Sequence, residues 1–293
     1  MNRRQLLAII GAAAHAGTAR SEDRRVGPVI TFGKHLQWLS FDEVAAFLEE
    51  HDFDGIEATV RKGGQVEPDR VEQDLPRLVE ALGKRNKKVV VMATDVNSAE
   101  DALTRRVIST ADSLEIPFFR MAYYRYDLQQ PILAQLESHR ETALRLGEFL
   151  EDFRIRGLYQ NHAGPALVGA SVWDQHRLLE GIPEQRITAA FDVRHATVEG
   201  GRSWPLLWRL LRDRVGCIYV KDFRWNGRQA VNVPLGKGQV DPDLLRMVSA
   251  EVAPGTPLSL HMEYVDHRDP GKKDENMRAI AADRVALRQL MDL

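Results

Sequence analysis

Polar side chains capable of acid–base or metal chemistry follow four apolar runs in the second half of the sequence. The polar segments are Gln160-Asn161-His162-Ala163-Gly164, Asp192-Val193-Arg194-His195, Tyr219-Val220-Lys221-Asp222 and His261-Met262-Glu263. Because alternate residues of a strand point the same way, His162, Lys221 and Glu263 each share a face with the residue two positions earlier. Two such layers can hold a divalent metal and supply acid and base groups. One His or Asp at a strand end is commonly a structural polar group, so the prediction depends on four consecutive strands showing the pattern.

Further basic, amide and aromatic residues near these runs are candidates for substrate contacts. Arg61 and Lys62 follow an earlier apolar run and suit an anionic or polyhydroxylated ligand. Asn161 and Arg194 lie inside two of the polar segments, and Trp225 follows the seventh run, where it can stack on a sugar ring. The segment Pro234-Leu235-Gly236-Lys237-Gly238 lacks the full phosphate-loop pattern, and we interpret it as a tight turn before a helix.

The elements that must position these residues alternate along the chain as short apolar runs and longer amphipathic ones. Ser40 with Glu43 three residues later predicts a capping box at the start of the first helix. Predicted strands cover 29–32, 55–60, 89–94, 118–122, 157–162, 187–192, 217–221 and 258–263, and predicted helices cover 41–51, 71–86, 99–114, 131–154, 172–179, 204–212, 243–252 and 276–293.

Strict alternation of strand and helix predicts an α/β fold with an all-parallel sheet. Eight units within residues 28–293 fit a single (β/α)8 TIM barrel, which typically has about 250 residues. The first predicted strand leads into Gly33-Lys34-His35-Leu36, which lacks the glycine-rich turn of a doubly wound nucleotide-binding fold. The C-terminal ends of barrel strands carry the chemistry. The four polar segments are therefore expected to meet at one mouth.

The N-terminal segment differs from the rest of the chain. Residues 1–16 combine Arg3-Arg4 with a short apolar stretch and the small-residue cleavage pattern Ala14-His15-Ala16, which predicts an export signal similar to the twin-arginine type. Residues 17–27 are predicted to be a linker. We therefore expect a periplasmic protein if the signal is used and a cytoplasmic one if it is not.

Composition excludes several classes of function. The chain has 40 basic and 42 acidic residues and a formal net charge of −2, so no overall field favours nucleic acid or an anionic membrane. Its apolar stretches are shorter than the roughly 20 residues of a membrane span. Cys217 is the only cysteine, which excludes an internal disulfide and a cysteine-rich zinc site. Whether copies of the chain assemble into a homo-oligomer stays open.

These residues resemble the xylose isomerase-like TIM barrel superfamily, whose members are often described as sugar phosphate isomerases or epimerases. The resemblance extends from about Pro28 to the end of the chain. It is strongest at Gln160–Gly164, Phe191–His195, Tyr219–Phe223 and Pro234–Gly238.

The resemblance implies one divalent metal held by Glu, Asp, His and Glu at the ends of strands five to eight, where the two glutamates also move the proton. Position by position, these ligands fall on Gln160, Asp192, Tyr219 and His261, so that only Asp192 keeps its residue type. We therefore expect Mn, Zn, Co or Mg, if bound, to contact Gln160, Asp192 and His261. A set containing His162, His195 and Glu263 is the alternative.

Gln160 has no proton chemistry near neutral pH, so the glutamate shuttle must be replaced. The expected catalytic residues are His162, Lys221, Glu263 and His195, with Lys221 acting as a base if burial depresses its pKa. The expected substrate contacts are Arg61, Asn161, Arg194 and Trp225.

The leading hypothesis is a sugar or keto-polyol isomerase, epimerase or keto-sugar lyase that abstracts a proton beside a carbonyl. Export would favour a free or oxidised sugar over a sugar phosphate. One alternative is a sugar-binding barrel without catalysis, which the residues Gln160 and Tyr219 suggest. A metal-dependent abasic-site endonuclease is the other alternative, and the near-neutral charge argues against it.

Overall fold

Eight parallel strands close into a barrel in the computed structural model, which describes residues 26–291. The barrel strands are β1 (Val26–Phe32), β2 (Gly55–Val60), β3 (Lys88–Thr94), β4 (Phe118–Arg120), β5 (Arg156–Gln160), β6 (Ile187–Asp192), β7 (Val215–Val220) and β10 (Thr256–Leu260). Their spatial order is β1-β10-β7-β6-β5-β4-β3-β2, and every neighbouring pair is parallel. The single (β/α)8 TIM barrel predicted from the sequence is confirmed.

Helices surround the barrel and cover its outer face. They are α1 (Phe41–Glu50), α2 (Val71–Gly83), α3 (Thr104–Ser113), α4 (Ile132–Phe149), α5 (Val172–Leu179), α6 (Val193–Gly200), α7 (Trp204–Leu211), α8 (Pro242–Glu251) and α9 (Lys273–Met291). The capping box at the start of α1 is confirmed, because the Ser40 and Glu43 side chains each bond the backbone of the other residue. None of the helices within residues 26–291 has the length and apolar character needed to cross a membrane.

Three strands are shorter than predicted. Strands β4, β5 and β10 end at Arg120, Gln160 and Leu260, two to three residues before the predicted ends. The residues that follow β5 and β10, including His162 and Glu263, therefore lie on irregular segments above the barrel. Helix α3 begins at Thr104 instead of Ala99, because the Thr104 hydroxyl bonds the Ser98 carbonyl and closes a preceding turn.

The sequence patterns did not predict two elements of the fold, a helix after β6 and a hairpin after β7. Helix α6 begins immediately after β6, because the Asp192 carboxylate accepts the His195 backbone N–H and caps the helix. An antiparallel hairpin of β8 (Asp222–Asn226) and β9 (Gln229–Val233) follows β7, and Gly227 turns it with a φ of 59°. The Asn226-Gly227 pair is the sequence signal that predicts such a turn.

Apolar side chains fill the barrel interior up to a defined level. The lower lumen is packed by Ile30, Val90, Val91, Phe118, Leu158, Ala190, Cys217 and Tyr219. A larger cluster between the strands and the helices contains Trp208, which is fully buried and packs edge-on against Phe191, as expected for a core tryptophan. Because apolar side chains line the lower lumen, the polar side chains gather at the mouth formed by the C-terminal strand ends.

The predicted export signal at residues 1–16 lies outside the described residues, as does most of the predicted linker at 17–27. Strand β1 begins at Val26, two residues before the predicted start of the barrel.

The glycine-containing segment before α8 is organised by the Asp222 carboxylate. This carboxylate accepts backbone N–H groups from Gly236 (3.1 Å), Gly238 (2.8 Å) and Val240 (3.0 Å). Because these donors are satisfied internally, the segment is the tight turn that the sequence predicts and has no free amides of these residues for a phosphate.

We expect Gly238→Ala to destabilise the fold. A Cβ at this position would lie 2.1 Å from Asp222 Oδ1 and 2.3 Å from the Phe223 carbonyl oxygen, so the turn must shift. The expected loss in the free energy of unfolding is about 1–3 kcal/mol. Gly83→Ala is the matched control, since a Cβ there meets no atom within 4 Å and lies in a helix. Equal urea midpoints for the two variants would contradict this role of Gly238.

Candidate active site

A continuous set of hydrogen bonds and ion pairs runs around the inside of the barrel mouth, which we call the polar ring. Its members come from four barrel strands and the segments that follow β7 and β10, and they are Glu57, Arg120, Gln160, Asp192, Lys221, Glu263 and His261. The ring closes because Glu263 and His261 lie two residues apart after β10. Gln160, Lys221 and Glu263 are candidate residues from the sequence, and the structure has all three of them in this ring.

Glu57 is a fully buried carboxylate held from two sides. Oε1 accepts the Arg120 Nε–H at 2.8 Å, while Oε2 contacts His261 Nε2 and the Ser259 hydroxyl, each at 2.8 Å. Burial alone would raise the pKa of Glu57, but the charge of Arg120 and the contact with His261 outweigh it and lower the pKa to about 2. Glu57 therefore stays ionised, and the Arg120 guanidinium is fixed against it.

Gln160 joins the two halves of the ring as a bridge between a cation and an anion. Its Oε1 accepts from Arg120 Nη1 at 2.9 Å and from the Tyr123 hydroxyl. Its Nε2 donates to Asp192 Oδ2 at 2.7 Å. Because an arginine can only donate, the atom facing Arg120 is the amide oxygen. A glutamate at this position could not donate to Asp192 when ionised.

Lys221 is a buried ammonium between two carboxylates. Its Nζ lies 3.1 Å from Asp192 Oδ2 and 2.8 Å from Glu263 Oε2. Burial would lower the pKa of Lys221, but the charges of Asp192 and Glu263 raise it above the ordinary value. The expected depressed-pKa base at Lys221 is therefore corrected: this side chain is a permanent cation at neutral pH.

Glu263 is held as an anion by two lysines. Besides Lys221, Lys34 Nζ lies 3.3 Å from Oε1. Burial would raise the pKa of Glu263, but the charges of Lys221 and Lys34 hold it well below the ordinary value. Glu263 is consequently a weak base, and its ionised carboxylate accepts hydrogen bonds.

His162 and His195 lie against each other at the mouth, with ring centroids 3.9 Å apart. His162 Nδ1 is 3.0 Å from the Ala163 carbonyl oxygen, which can only accept, so Nδ1 carries the proton and Nε2 has a free lone pair. Burial first, and then the charge of Lys221, lower the pKa of His162 to about 4. His162 is a neutral imidazole at pH 7.

His195 is more enclosed than His162. Its Nδ1 is 3.0 Å from Arg194 Nη1, an obligate donor, so Nε2 carries the proton and points toward Asp192 Oδ2 at 3.6 Å. Burial, followed by the charge of Lys221, holds the pKa of His195 well below the ordinary value. His195 therefore supports the His162 ring.

The residues expected to hold a divalent metal do not form one donor set. The Gln160 oxygen faces Arg120, and His261 Nε2 faces Glu57. Asp192 Oδ2 already accepts from Gln160 and lies against the Lys221 ammonium. Tyr219, which falls where the resemblance implies a histidine, is fully buried, and its hydroxyl has no hydrogen-bond partner among the described residues. Residues 26–291 also contain no group of three or more His, Cys, Asp and Glu side chains able to hold a metal ion. The donor chemistry does not fit a metal here.

Three of the four expected substrate contacts make contacts within the protein. Asn161 is buried and uses both ends of its amide on the backbone of Asp192, at 3.0 and 2.7 Å, which positions that strand end. Arg194 donates to the Ala230 carbonyl at 3.0 Å and ties α6 to the hairpin. Trp225 is half exposed on β8 and packs edge-on against Phe223. Arg61 alone continues the inward-facing side of β2, above Glu57.

Sequence reasoning missed Glu57, Arg120, Tyr123 and Lys34. The available signal was a single charged residue inside a buried apolar strand, as in Gly55–Val60 and Phe118–Arg120. A lone buried acid and a lone buried base on nearby barrel strands predict each other as partners.

Lys62 points away from the mouth, although it adjoins Arg61. It lines a separate cleft of about 430 Å³ together with Asp95, Asp101 and apolar side chains such as Val60 and Val96. None of the polar ring residues lines this cleft.

Comparisons with known proteins agree on the architecture. A family model described as a xylose isomerase-like TIM barrel matches residues 45–283. Among solved structures, the IolI protein with a binding zinc atom has a TM-score of 0.70 at 12% identity, with 91% of this chain and 100% of that chain covered. The D-psicose 3-epimerase of Clostridium cellulolyticum H10 gives 0.65 at 9%, covering 90% and 99%.

A third solved structure is the probable 3-DHS dehydratase AsbF of Bacillus anthracis, with a TM-score of 0.66 at 13% identity, covering 86% of this chain and 97% of that one. None of the curated proteins compared with the sequence matches it. At these identities the solved structures share the fold.

Breaking the buried Glu57–Arg120 pair should cost much of the stability of the fold. Glu57→Gln and Arg120→Met each leave one buried charge without its partner, which costs about 3–5 kcal/mol. The double variant should lose less than the sum of the two, as measured by urea unfolding. Arg70→Ala removes a surface ion pair with Asp74 and serves as the control, with little change expected. Additive losses would show that the two side chains do not interact.

The ammonium of Lys221 should exclude divalent cations from the ring. The protein should keep its melting temperature in EDTA and bind Mn²⁺ weakly, as followed by the electron paramagnetic resonance of free Mn²⁺. Lys221→Ala frees the Asp192 and Glu263 carboxylates and should tighten Mn²⁺ binding at least about tenfold, the change that 1.4 kcal/mol produces. Lys237→Ala, on an exposed turn, is the control. Tight binding of one Mn²⁺ by the unmodified protein, lost in Asp192→Asn, would contradict this account.

Proposed function

The chain belongs to the xylose isomerase-like TIM barrel family, and from this premise we propose that it is an enzyme that moves a proton at the carbon beside a carbonyl of a sugar or keto-polyol. The reaction class is isomerisation, epimerisation or β-elimination. The observation that carries the proposal is the neutral His162, with its Nε2 lone pair free, at the same mouth as the buried Lys221 ammonium.

Lys221 supplies the electrostatic part of the proposed reaction. A substrate carbonyl oxygen beside Nζ would accept a hydrogen bond from a cation that the ring already holds in place. As the C–H bond breaks, its electron pair forms the C=C bond of an enolate, and the π pair of the carbonyl moves to this oxygen, where the ammonium stabilises the negative charge. Asp192 and Glu263 fix Nζ before the substrate arrives, so little reorganisation is needed.

His162 supplies the base. Its Nε2 accepts the proton from carbon, and the resulting imidazolium returns a proton to carbon or oxygen in the second half of the reaction. Asp192 and Glu263 are less suited to this step, because each is already paired with Lys221. The two-glutamate shuttle implied by the family resemblance is therefore replaced by one imidazole and one ammonium.

A sugar-like substrate is supported by the fold relatives, which include a D-psicose 3-epimerase crystallised with D-tagatose. The mouth also offers the carboxylate oxygens of Glu263 as acceptors for substrate hydroxyl groups. The second candidate is a barrel that binds a sugar without turnover. It is favoured by the pairing of each ring carboxylate with a cation, which leaves no carboxylate as a base.

The test is solvent-deuterium exchange into a panel of keto-sugars and keto-polyols, followed by NMR at the carbon beside the carbonyl. We expect exchange that His162→Gln lowers at least about 100-fold, the typical contribution of a general base. Because the base form is the neutral imidazole, the rate should be level from pH 6 upward and fall only as pH approaches about 4, the pKa of His162.

His51→Gln is the matched control, since His51 lies at the end of α1, on the opposite face of the barrel. Unchanged circular dichroism would show that both variants fold. Saturable binding with no exchange in any compound would favour the second candidate. Exchange that survives in His162→Gln would remove His162 from the reaction.

A further inference from the structure

Arg61 is a partly buried cation at the mouth and is not a member of the polar ring. It follows β2 on the side of the strand that carries Glu57 and Thr59, and its guanidinium carbon lies 5.7 Å from the centre of the Phe32 ring. Among the described residues it makes no hydrogen bond and no ion pair within 4.0 Å. Asp95 accepts the Lys62 backbone N–H instead, at 2.8 Å.

A second guanidinium lies close to Arg61. The Arg120 guanidinium carbon is 5.0 Å from the same Phe32 ring, and it is already committed to Glu57, Gln160 and Tyr123. Burial, and then the like charge of Arg120, lower the pKa of Arg61 from its ordinary value. Two like charges over one ring, one of them unpaired, repel each other, and an anion beside Arg61 would relieve this repulsion.

The local charge balance points the same way. The mouth contains the carboxylates of Glu57, Asp192 and Glu263, and the cations of Arg120, Lys221, Lys34 and Arg61. Four cations against three carboxylates leave one positive charge among these seven groups, and Asp95 is a further carboxylate whose charge acts on Arg61. Lys34 shares Glu263 with Lys221 and lies at 3.3 Å, the longer of the two contacts, so it can turn to a second anion.

We propose that the molecule bound at this mouth carries an oxyanion, and that Arg61 with Lys34 forms the subsite that binds it. The anion would be a carboxylate, as in a sugar acid, or a phosphate ester, as in a phosphorylated sugar. The planar arginine fork can donate two parallel hydrogen bonds to either group, and Lys34 adds a point charge. This inference rests on the proposed function in one respect: the anionic group belongs to the same molecule that reacts beside Lys221.

The subsite also defines the direction in which a substrate lies. Lys34 and Arg61 follow β1 and β2, whereas Lys221 and His162 follow β7 and β5. A substrate with its anionic end over β1 and β2 would extend across the mouth, with its carbonyl toward β5 and β7. Arg61 would then select the substrate without touching the reacting carbon.

The experiment compares three probes that differ at one carbon: D-glucose, D-glucuronate and D-glucose 6-phosphate, titrated by calorimetry. We expect one or both anions to bind at least about tenfold more tightly than D-glucose. Arg61→Ala should weaken the binding of the preferred anion by about 10- to 100-fold and so remove this preference, as expected for a lost charged hydrogen bond. D-Glucose binding should stay within about twofold, below the 1.4 kcal/mol of a tenfold change. Arg61→Lys should keep part of the preference, since it keeps the charge without the fork.

Lys62→Ala is the matched control, because it removes the same charge from the next residue, whose side chain is exposed and faces the other cleft. Tighter binding of glucuronate than of the phosphate ester would identify a carboxylate subsite, and the reverse order a phosphate subsite. Equal binding of all three probes, or no binding of either anion up to its solubility, would overturn the proposal. So would an anion preference that Arg61→Ala leaves unchanged.

The outcome is separable from that of the proposed reaction. Binding preference is measured without turnover, so an Arg61-dependent preference with no deuterium exchange would keep the anion subsite and reject the proton transfer. Exchange with no anion preference would do the opposite.

Discussion

A carboxylate buried without access to solvent is the constraint on which the mouth of this barrel depends. Glu57 is ionised inside the lumen, and desolvation of such a charge is tolerated only when it is paired and fully hydrogen-bonded. Arg120 satisfies this requirement, but its own remaining N–H groups then need acceptors, which Gln160 and Tyr123 provide. Each of these side chains in turn needs a hydrogen-bond or ion-pair partner from the next strand, until the ring closes after β10. These successive pairings set the positions of the polar side chains at the mouth.

Gln160 shows how a small change of side chain alters the chemistry that such a ring can support. An amide can accept from a cation at one end and donate to an anion at the other, which a carboxylate cannot do. With Gln160 as the bridge, Asp192 is oriented by Gln160 and Lys221 at Oδ2 and by the His195 backbone N–H at Oδ1. The positive charge that a metal would contribute is already provided by an ammonium on the protein itself. Because this charge belongs to the Lys221 side chain, no ion has to bind before the charge is present, and packing sets its position.

The same arrangement divides the roles at the mouth by electrostatic environment. His162 and His195 are neutral because they are buried beside Lys221, whereas Lys221 stays charged because Asp192 and Glu263 stand next to it. Similar burial is therefore compatible with a neutral imidazole and a charged ammonium at one mouth, and the nearest charge decides between the two states. Arg61 lies outside this balance, because it forms no hydrogen bond or ion pair with any described residue. In the proposed subsite, its positive charge at the edge of the mouth would favour an anionic substrate over a neutral one.

The sequence by itself determined the barrel, the location of the polar cluster after strands five to eight and the absence of most expected metal ligands. It could do so because strand and helix periodicities are local, and because side chains that follow parallel strands must meet at one end. Only the tertiary structure decided which polar groups are partners. Glu57 and Arg120 are 63 residues apart, and Lys221 and Glu263 are 42 apart, so no local pattern links them. The charge state of Lys221 likewise depends on its distances to the Asp192 and Glu263 carboxylates, which the sequence places at the same mouth but not at a defined distance. Periodicity is encoded residue by residue, whereas pairing and pKa arise from distances that exist only after the barrel closes.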